Sequence, residues 1–270
     1  MKNILITGGT RGLGLEYVKY LSSKGYNIGL SDISDGACTV YGEVKNIEEI
    51  VQMVESNGVE CWHYFADLTK KEEANRLLEK FVENFGTIDG VITSAGGDIS
   101  GSDKDASGGK AKNNSFFISF DEHENIFKRN YYTCFNTLRA VVPYMQNQKY
   151  GKIITVSSVN AAFGVEKETT YSVAKASILQ LSRSLAKELR KDGINVNCIL
   201  PGPTKTGRFL STVKERNPHD LEGLNSDQRL LRVANPSDIS PVVEFLLSDA
   251  SDFISGEAIK IDGGLFPQPV

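Results

Sequence analysis

Tyr171 and Lys175 lie four residues apart in the run Tyr171-Ser172-Val173-Ala174-Lys175. On a helix that spacing stacks both side chains on one face. A lysine ammonium beside a phenol favours the phenolate and lowers its pKa from the free value of ~10. A tyrosine tuned in that way is a general base for neutral pH. Such a base is what hydride loss from an alcohol carbon requires, because the hydroxyl proton must leave as well. Ser158 stands thirteen residues before Tyr171, and its hydroxyl is suited to orient the reacting oxygen and stabilise charge developing there. Tyr–Lys pairs at this spacing also decorate ordinary solvated helices, so the pair takes its meaning from its surroundings.

The loop Thr7-Gly8-Gly9-Thr10-Arg11-Gly12-Leu13-Gly14 follows the first β-rich run. Its glycines permit a tight turn and a close backbone approach to a pyrophosphate at a helix N-terminus. Gly8, Arg11, Gly12, Leu13 and Gly14 are therefore expected to line a dinucleotide site. Asp32, eighteen residues after Gly14, can accept hydrogen bonds from ribose hydroxyls and would repel a 2′-phosphate. That favours NAD. The Arg11 guanidinium keeps NADP open, since it can pair with such a phosphate.

These groups need a scaffold, and the rest of the chain describes one. Short β-rich runs at 4–6, 27–31, 61–65, 88–93, 152–157, 195–200 and 258–261 alternate with helical patterns, among them 13–24, 46–56 and 70–85. The alternation predicts an α/β doubly wound fold, a seven-stranded parallel sheet with helices on both faces. Phe127, Tyr131, Cys134, Leu138, Val141 and Met145 mark one longer helix by their three- and four-residue steps. Tyr171, Ala174, Ile178, Leu181, Leu185 and Leu189 mark another. Their apolar faces suit the sheet or a second subunit. No linker divides the series, so residues 1–270 read as one Rossmann-type domain, with a cofactor half about 1–150 and a catalytic half about 151–270.

Hydrophobic residues form 40% and charged residues 24% of the chain, with a formal net charge of −4. That balance is ordinary for a soluble domain and speaks against nucleic acid or an anionic membrane as partner. No apolar run reaches the ~18 residues that span a bilayer, and the first residues read as a strand rather than a signal peptide. Cytoplasm is the expected compartment. Cys38, Cys61, Cys134 and Cys198 are scattered without a C-x-x-C, which points to neither a disulfide framework nor a zinc cage. His63 is expected to share a packing face with Cys61, and His123 to sit at a solvated helix start with Asp121 near the cap. His219 falls in a long loop within reach of a substrate. No metal site is expected.

The whole pattern resembles the short-chain dehydrogenase/reductase family over essentially the full chain. Thr7-Gly8-x-x-x-Gly12-x-Gly14 is similar to that family's cofactor loop, and Asp67-Leu68 to its adenine-contacting pair. Ser158, Tyr171 and Lys175 stand where its catalytic serine, tyrosine and lysine belong, and Asn130 where its helix-borne asparagine does. Pro201-Gly202-x-x-x-Thr206 is similar to the segment that contacts the nicotinamide amide, and Asp262-Gly263-Gly264 to the C-terminal turn. The resemblance implies that Lys175 also bonds the nicotinamide ribose. It implies that Asn130 kinks its helix and binds a water passing protons toward the lysine. It also implies a homotetramer or homodimer built on the two long helices. One departure is Thr93-Ser94-Ala95-Gly96, where the family commonly has Asn-Asn-Ala-Gly. Ala95 and Gly96 keep the close approach to the cofactor, while an asparagine bond bracing the sheet is lost.

Residues 34–45, 97–115 and 204–227 exceed a minimal fold and leave from the strand ends where ligands bind in such sheets. The last two are polar and poor in large apolar residues, which suits a sugar, polyol or hydroxy acid. Residues 34–45 resemble the longer segment of carveol-dehydrogenase-like members, which implies a fold over the adenosine that retains NAD. The expected activity is NAD-dependent interconversion of a secondary alcohol and a ketone on a small polar molecule. An NADPH-dependent carbonyl reductase and a non-catalytic NAD(H)-binding regulator stay open as other readings.

Overall fold

Strand pairing decides which loops meet at the site. The computed structural model describes residues 1–103 and 109–267. In chain order these form β1 (Asn3–Thr7), α1 (Gly12–Ser23), β2 (Asn27–Asp32), α2 (Ile47–Glu55), β3 (Cys61–Phe65), α3 (Lys71–Phe85) and β4 (Gly90–Thr93). Next come α4 (Phe120–Phe127), α5 (Thr133–Gln148), β5 (Gly151–Val156), α6 (Thr169–Leu189) and β6 (Ile194–Pro201). The chain continues through α7 (Gly207–Ser211), α8 (Pro218–Leu221), α9 (Pro236–Leu247) and β7 (Ala258–Ile261).

All strands are parallel, in the order β3-β2-β1-β4-β5-β6-β7. Winding reverses between β1 and β4, and ligands bind in the crevice at such a switch point. Thr7 pairs with both Ser31 and Thr93, and Thr93 pairs with Thr155. The loops after β1, β2, β4 and β5 therefore leave from one edge.

Side-chain alternation along each strand supplies both faces of the core. Ile4 and Ile6 of β1 join Ile28 and Leu30 of β2 under Leu15 and Val18 of α1, Ile50 of α2 and Val243 of α9. Leu5 points the other way, into a cluster with Val91, Ile153 and Val196, covered by Leu77 and Phe81 of α3, Leu138 of α5 and Ile178 of α6. A sheet covered on both faces explains why β1, β2, β4 and β5 are buried end to end.

Several expectations change here. Cys134, Leu138, Val141, Met145, Ile178 and Leu189 are buried in the core, so most of both long-helix faces is used on the sheet. The first of those helices is not continuous: Lys128–Tyr132 is a π-helical turn between α4 and α5. Residues 204–227 are not bare loop but carry α7, α8 and a 3-10 turn, Val213–Glu215. Residues 34–45 carry another, Asp35–Thr39. Of the expected loop 97–115, residues 104–108 lie outside the described residues. Its flanks meet in an antiparallel bridge between Ile99 and Lys110. His63 is exposed rather than packed and Cys61 only partly covered, because β3 is the edge strand. The α4 cap is Ser119 in a capping box with Glu122, with Asp121 beside it in the first turn as expected. His123 reaches across to Thr170 at 3.0 Å. Helix α9 was hidden by its prolines. Pro236 in fact occupies the first turn behind the Asn235/Asp238 capping box, where a missing N–H costs nothing.

Candidate active site

The floor of the site is backbone. Gly8 has φ +66°, and a Cβ there would lie 2.9 Å from the Ala95 backbone. A Cβ on Gly14 would lie 1.9 Å from the Gly8 carbonyl oxygen. The β1–α1 loop thus presses against both its own helix and the β4 loop, and lines a cavity of about 530 Å³. Gly8, Arg11, Gly12, Leu13, Gly14, Asp32, Asp67, Leu68, Ala95 and Gly96 line this cavity. Ser158, Tyr171, Lys175, Pro201, Gly202 and Thr206 line it too. Every candidate residue except Asn130 therefore faces one space.

Each is held locally. The Asp32 carboxylate accepts the Thr10 hydroxyl at 2.6 Å and the Ile33 amide at 2.9 Å, which fixes it between the first two strand ends. Asp67 accepts the Thr69 hydroxyl at 2.6 Å and pairs with Lys70 at 3.2 Å. Burial works against its charge, but these bonds win and hold its carboxyl below the usual range. Asn136 donates to the Leu68 carbonyl at 3.0 Å, pinning the β3 loop to α5. Gly202 N–H continues the sheet to Ile261 at 3.0 Å, and Thr206 caps α7 by accepting the Phe209 amide. At the departure Thr93-Ser94, the Thr93 hydroxyl lies 3.2 Å from Cys134 Sγ, a strand-to-helix brace in a residue pair not foreseen.

Asn130 is fully buried in the π-helical turn. Its amide donates to the carbonyls of Gly97 at 3.1 Å and Ile126 at 3.0 Å, and its oxygen accepts the Gly97 amide at 2.9 Å. The extra residue of a π-turn breaks the regular ladder and turns a side chain inward. That side chain clamps both polar groups of Gly97, just after the cofactor loop of β4.

Ser158 follows β5 and caps the 3-10 turn Val159–Ala161 by accepting the Asn160 amide at 3.2 Å. Ser157 donates to the Lys175 carbonyl at 2.7 Å, docking α6 against β5 so that Tyr171 and Lys175 face Ser158. Lys175 Nζ donates to the Val156 carbonyl at 3.0 Å and lies 5.7 Å from the Tyr171 ring centroid. Its electrostatics differ from expectation. Burial pulls the Lys175 ammonium down to about 8. Tyr171 is raised, not lowered: burial dominates, Asp98 adds to it, and the Ser158 hydroxyl opposes it. A lysine that is itself desolvated and turned toward a carbonyl does little for the phenol.

A family model described as enoyl-(acyl carrier protein) reductase matches residues 8–266. The chain belongs to the short-chain dehydrogenase/reductase family. It is 28% identical to the 3-oxoacyl-[acyl-carrier-protein] reductase FabG of Staphylococcus epidermidis over 98% of this chain and 99% of that one. It is 30% identical to the diacetyl reductase [(S)-acetoin forming] of the same species, over 98% of both. Among solved structures it resembles an NAD+-bound xylitol dehydrogenase with a TM-score of 0.83 and 26% identity, over 97% of this chain and 98% of that one. As a short-chain dehydrogenase/reductase it is an oxidoreductase acting on alcohol or ketone groups with a nicotinamide cofactor. No helix among the described residues is long and apolar enough to cross a membrane.

Sequence reasoning missed two parts of this cleft. Glu43 accepts the Gly12 amide at 2.8 Å and the Gly207 amide at 3.0 Å, so residues 34–45 strap the α1 loop to α7. Tyr41 lies 5.8 Å from the Arg11 guanidinium and 5.9 Å from that of Arg208. At the opposite end Lys110 meets Asp98, Glu168 and Asp220. The only signal for either was charge placed in loops. His219 lies outside the main cavity, 3.3 Å from Asp220 and near Phe163 and Phe266.

Proposed function

We propose that the protein is an NAD-dependent oxidoreductase interconverting a secondary alcohol and a ketone on a small polar substrate. The observation that carries this reading is the convergence of Ser158, Tyr171 and Lys175 on the cavity that also holds the glycine loop and Asp32. The glycine cradle, the α1 N-terminus and Asp32 fit a dinucleotide in shape and donor set. A nicotinamide held there would supply a hydride acceptor for the carbinol carbon, or a hydride donor for the ketone. Ser158 Oγ donates to the substrate oxygen and orients it. Tyr171 Oη takes the hydroxyl proton in oxidation and gives it back in reduction. Because its pKa is raised, Tyr171 is protonated at neutral pH, the state required for reduction, and oxidation quickens as pH rises. Lys175 sits behind the phenol as a cation titrating at about 8. Asn130 is a positioning residue through Gly97.

Asp32 supports NAD, since a 2′-phosphate beside it would meet a like charge. The NAD+-bound state of the xylitol dehydrogenase neighbour agrees with that choice, and its substrate is a polyol. NADPH-linked carbonyl reduction is the second reading, favoured by Arg11 in the same cavity. The strap at 34–45 supports retention of the cofactor through gel filtration. The reading takes residues 1–270 as one catalytic domain, cytoplasmic, working as a homotetramer or homodimer.

Initial rates over polyols, sugars, hydroxy acids and apolar secondary alcohols, with NAD and NADP in parallel, test it. Tyr171→Phe is expected to lower turnover by about 1,000-fold, and Asp32→Ala to relax the preference for NAD. Turnover that survives in Tyr171→Phe would refute the assignment. NADH binding without any turnover would favour the regulator reading instead.

A further inference from the structure

Beyond Tyr171 the cavity ends in an ionic cluster that the alcohol–ketone step does not use. Lys110 Nζ lies 2.5 Å from Glu168 Oε1, 3.0 Å from Asp98 Oδ2 and 3.2 Å from Asp220 Oδ2. Asp220 also faces Arg216 at 3.8 Å. All five residues line the same cavity as Tyr171. They come from three places in the chain: the bridge after β4, the residue that precedes α6, and the α8 region.

The cluster is not simply a buried ion pair. Burial opposes the Lys110 charge, but Asp98, Asp220 and Glu168 overcome that and hold its pKa above the ordinary lysine range. Three carboxylates face two cations. Glu168 is well supplied, accepting the side-chain amides of Asn160 and Asn217 besides Lys110. Asp98 Oδ1 accepts the Asn114 amide at 2.6 Å. Asp98 Oδ2 and Asp220 Oδ2 stand apart. Both side chains are 10% exposed, both oxygens face Lys110 as ion pairs, and neither accepts a hydrogen bond among the described residues. Both oxygens are held by ion pairing alone, which leaves acceptor capacity for one further donor.

The chemistry of that donor can be narrowed. An apolar substrate would leave both oxygens as they are. A carboxylate substrate would meet them as like charges, a penalty that works against the wrong ligand. A hydroxyl satisfies the site in both senses, donating to a carboxylate oxygen and accepting from the Lys110 ammonium. We infer that Asp98 and Asp220, set around Lys110, are specificity-determining residues that read additional hydroxyls of a neutral polyhydroxylated substrate. This rests on the alcohol–ketone reading of the site and narrows its substrate to polyols and sugars over hydroxy acids.

The test is the ratio of kcat/KM for a polyol to that for a monohydroxy secondary alcohol of equal carbon number, with hydroxy acids run alongside. The wild-type ratio is expected to be about 100-fold or more, because a site built to bond a hydroxyl rejects the analogue that lacks it. Asp98→Asn and Asp220→Asn should each cut the ratio about tenfold, one step of the affinity scale, and mainly through KM. NADH titration by fluorescence checks that each variant is folded, and the wild-type ratio is read independently of both. A wild-type ratio near one, a preference for hydroxy acids, or folded variants that keep the ratio would each overturn the inference. Wild-type enzyme that binds NADH yet turns over none of the three classes would instead sink the alcohol–ketone reading, and this inference with it.

Discussion

The two ends of the cleft are built from opposite materials. The dinucleotide end is backbone: Gly8 and Gly14 pack so closely that neither has room for a Cβ, and the donors are main-chain amides. The far end is side chain, where Lys110 gathers Asp98, Glu168 and Asp220 from three separate segments. A backbone site depends on a few consecutive residues and tolerates almost no change. A side-chain site depends on distant loops arriving together, and its chemistry can be altered one residue at a time without touching the fold.

That contrast can be broken by experiment. Gly14→Ala would set a methyl 1.9 Å from the Gly8 carbonyl. It should weaken NADH binding by about 100-fold or more, on the order of 3 kcal/mol. A variant that titrates with NADH like the parent would refute the backbone account. At the junction of the two ends stands Lys175, whose pKa burial lowers from the ordinary 10.5 to about 8. Between those values the unfolded chain holds a proton that the folded chain has released, so stability should rise with pH across the window. The slope is at most about 1.4 kcal/mol per pH unit. Below about 8 both states are protonated and the cost of burying the charge is fully present. Urea unfolding without cofactor at pH 8 and pH 10 should show that gain in the wild type and lose it in Lys175→Met. The smallest effect concerns the scaffold under both ends. Thr93→Val removes the hydroxyl facing Cys134 and should cost about 1 kcal/mol in the same assay. No loss would mean that the contact is incidental.

How much was legible follows the same division. The seven parallel strands, the glycine loop, Asp32 and the Tyr171–Lys175 pair could be read because each rests on local spacing or on apolar periodicity, while Asp67 and the interval to Ser158 were read through the resemblance. Helix α9 escaped because Pro236 and Pro241 look like breakers when their capping context is not visible. The break at Asn130 was implied by the resemblance alone, because periodicity across Phe127–Met145 tolerates one inserted residue without losing its face. The lowering of the Tyr171 pKa by Lys175 was misjudged for a different reason. Spacing gives proximity, but the sign of a pKa shift depends on burial, and burial of both groups is a tertiary fact. Glu43 and Lys110 were invisible because their partners lie far off in the chain.

The Glu43 clasp gives the cleft a sense of time. An anion that takes up the Gly12 amide does so in exchange for a carboxylate already bonded there, and that same carboxylate tethers α7. A dinucleotide that took up the Gly12 amide would therefore compete with a group that also bonds α7, which would couple cofactor binding to the 34–45 segment. The residence time of the cofactor, more than its affinity, becomes the property that mutations in 34–45 would adjust.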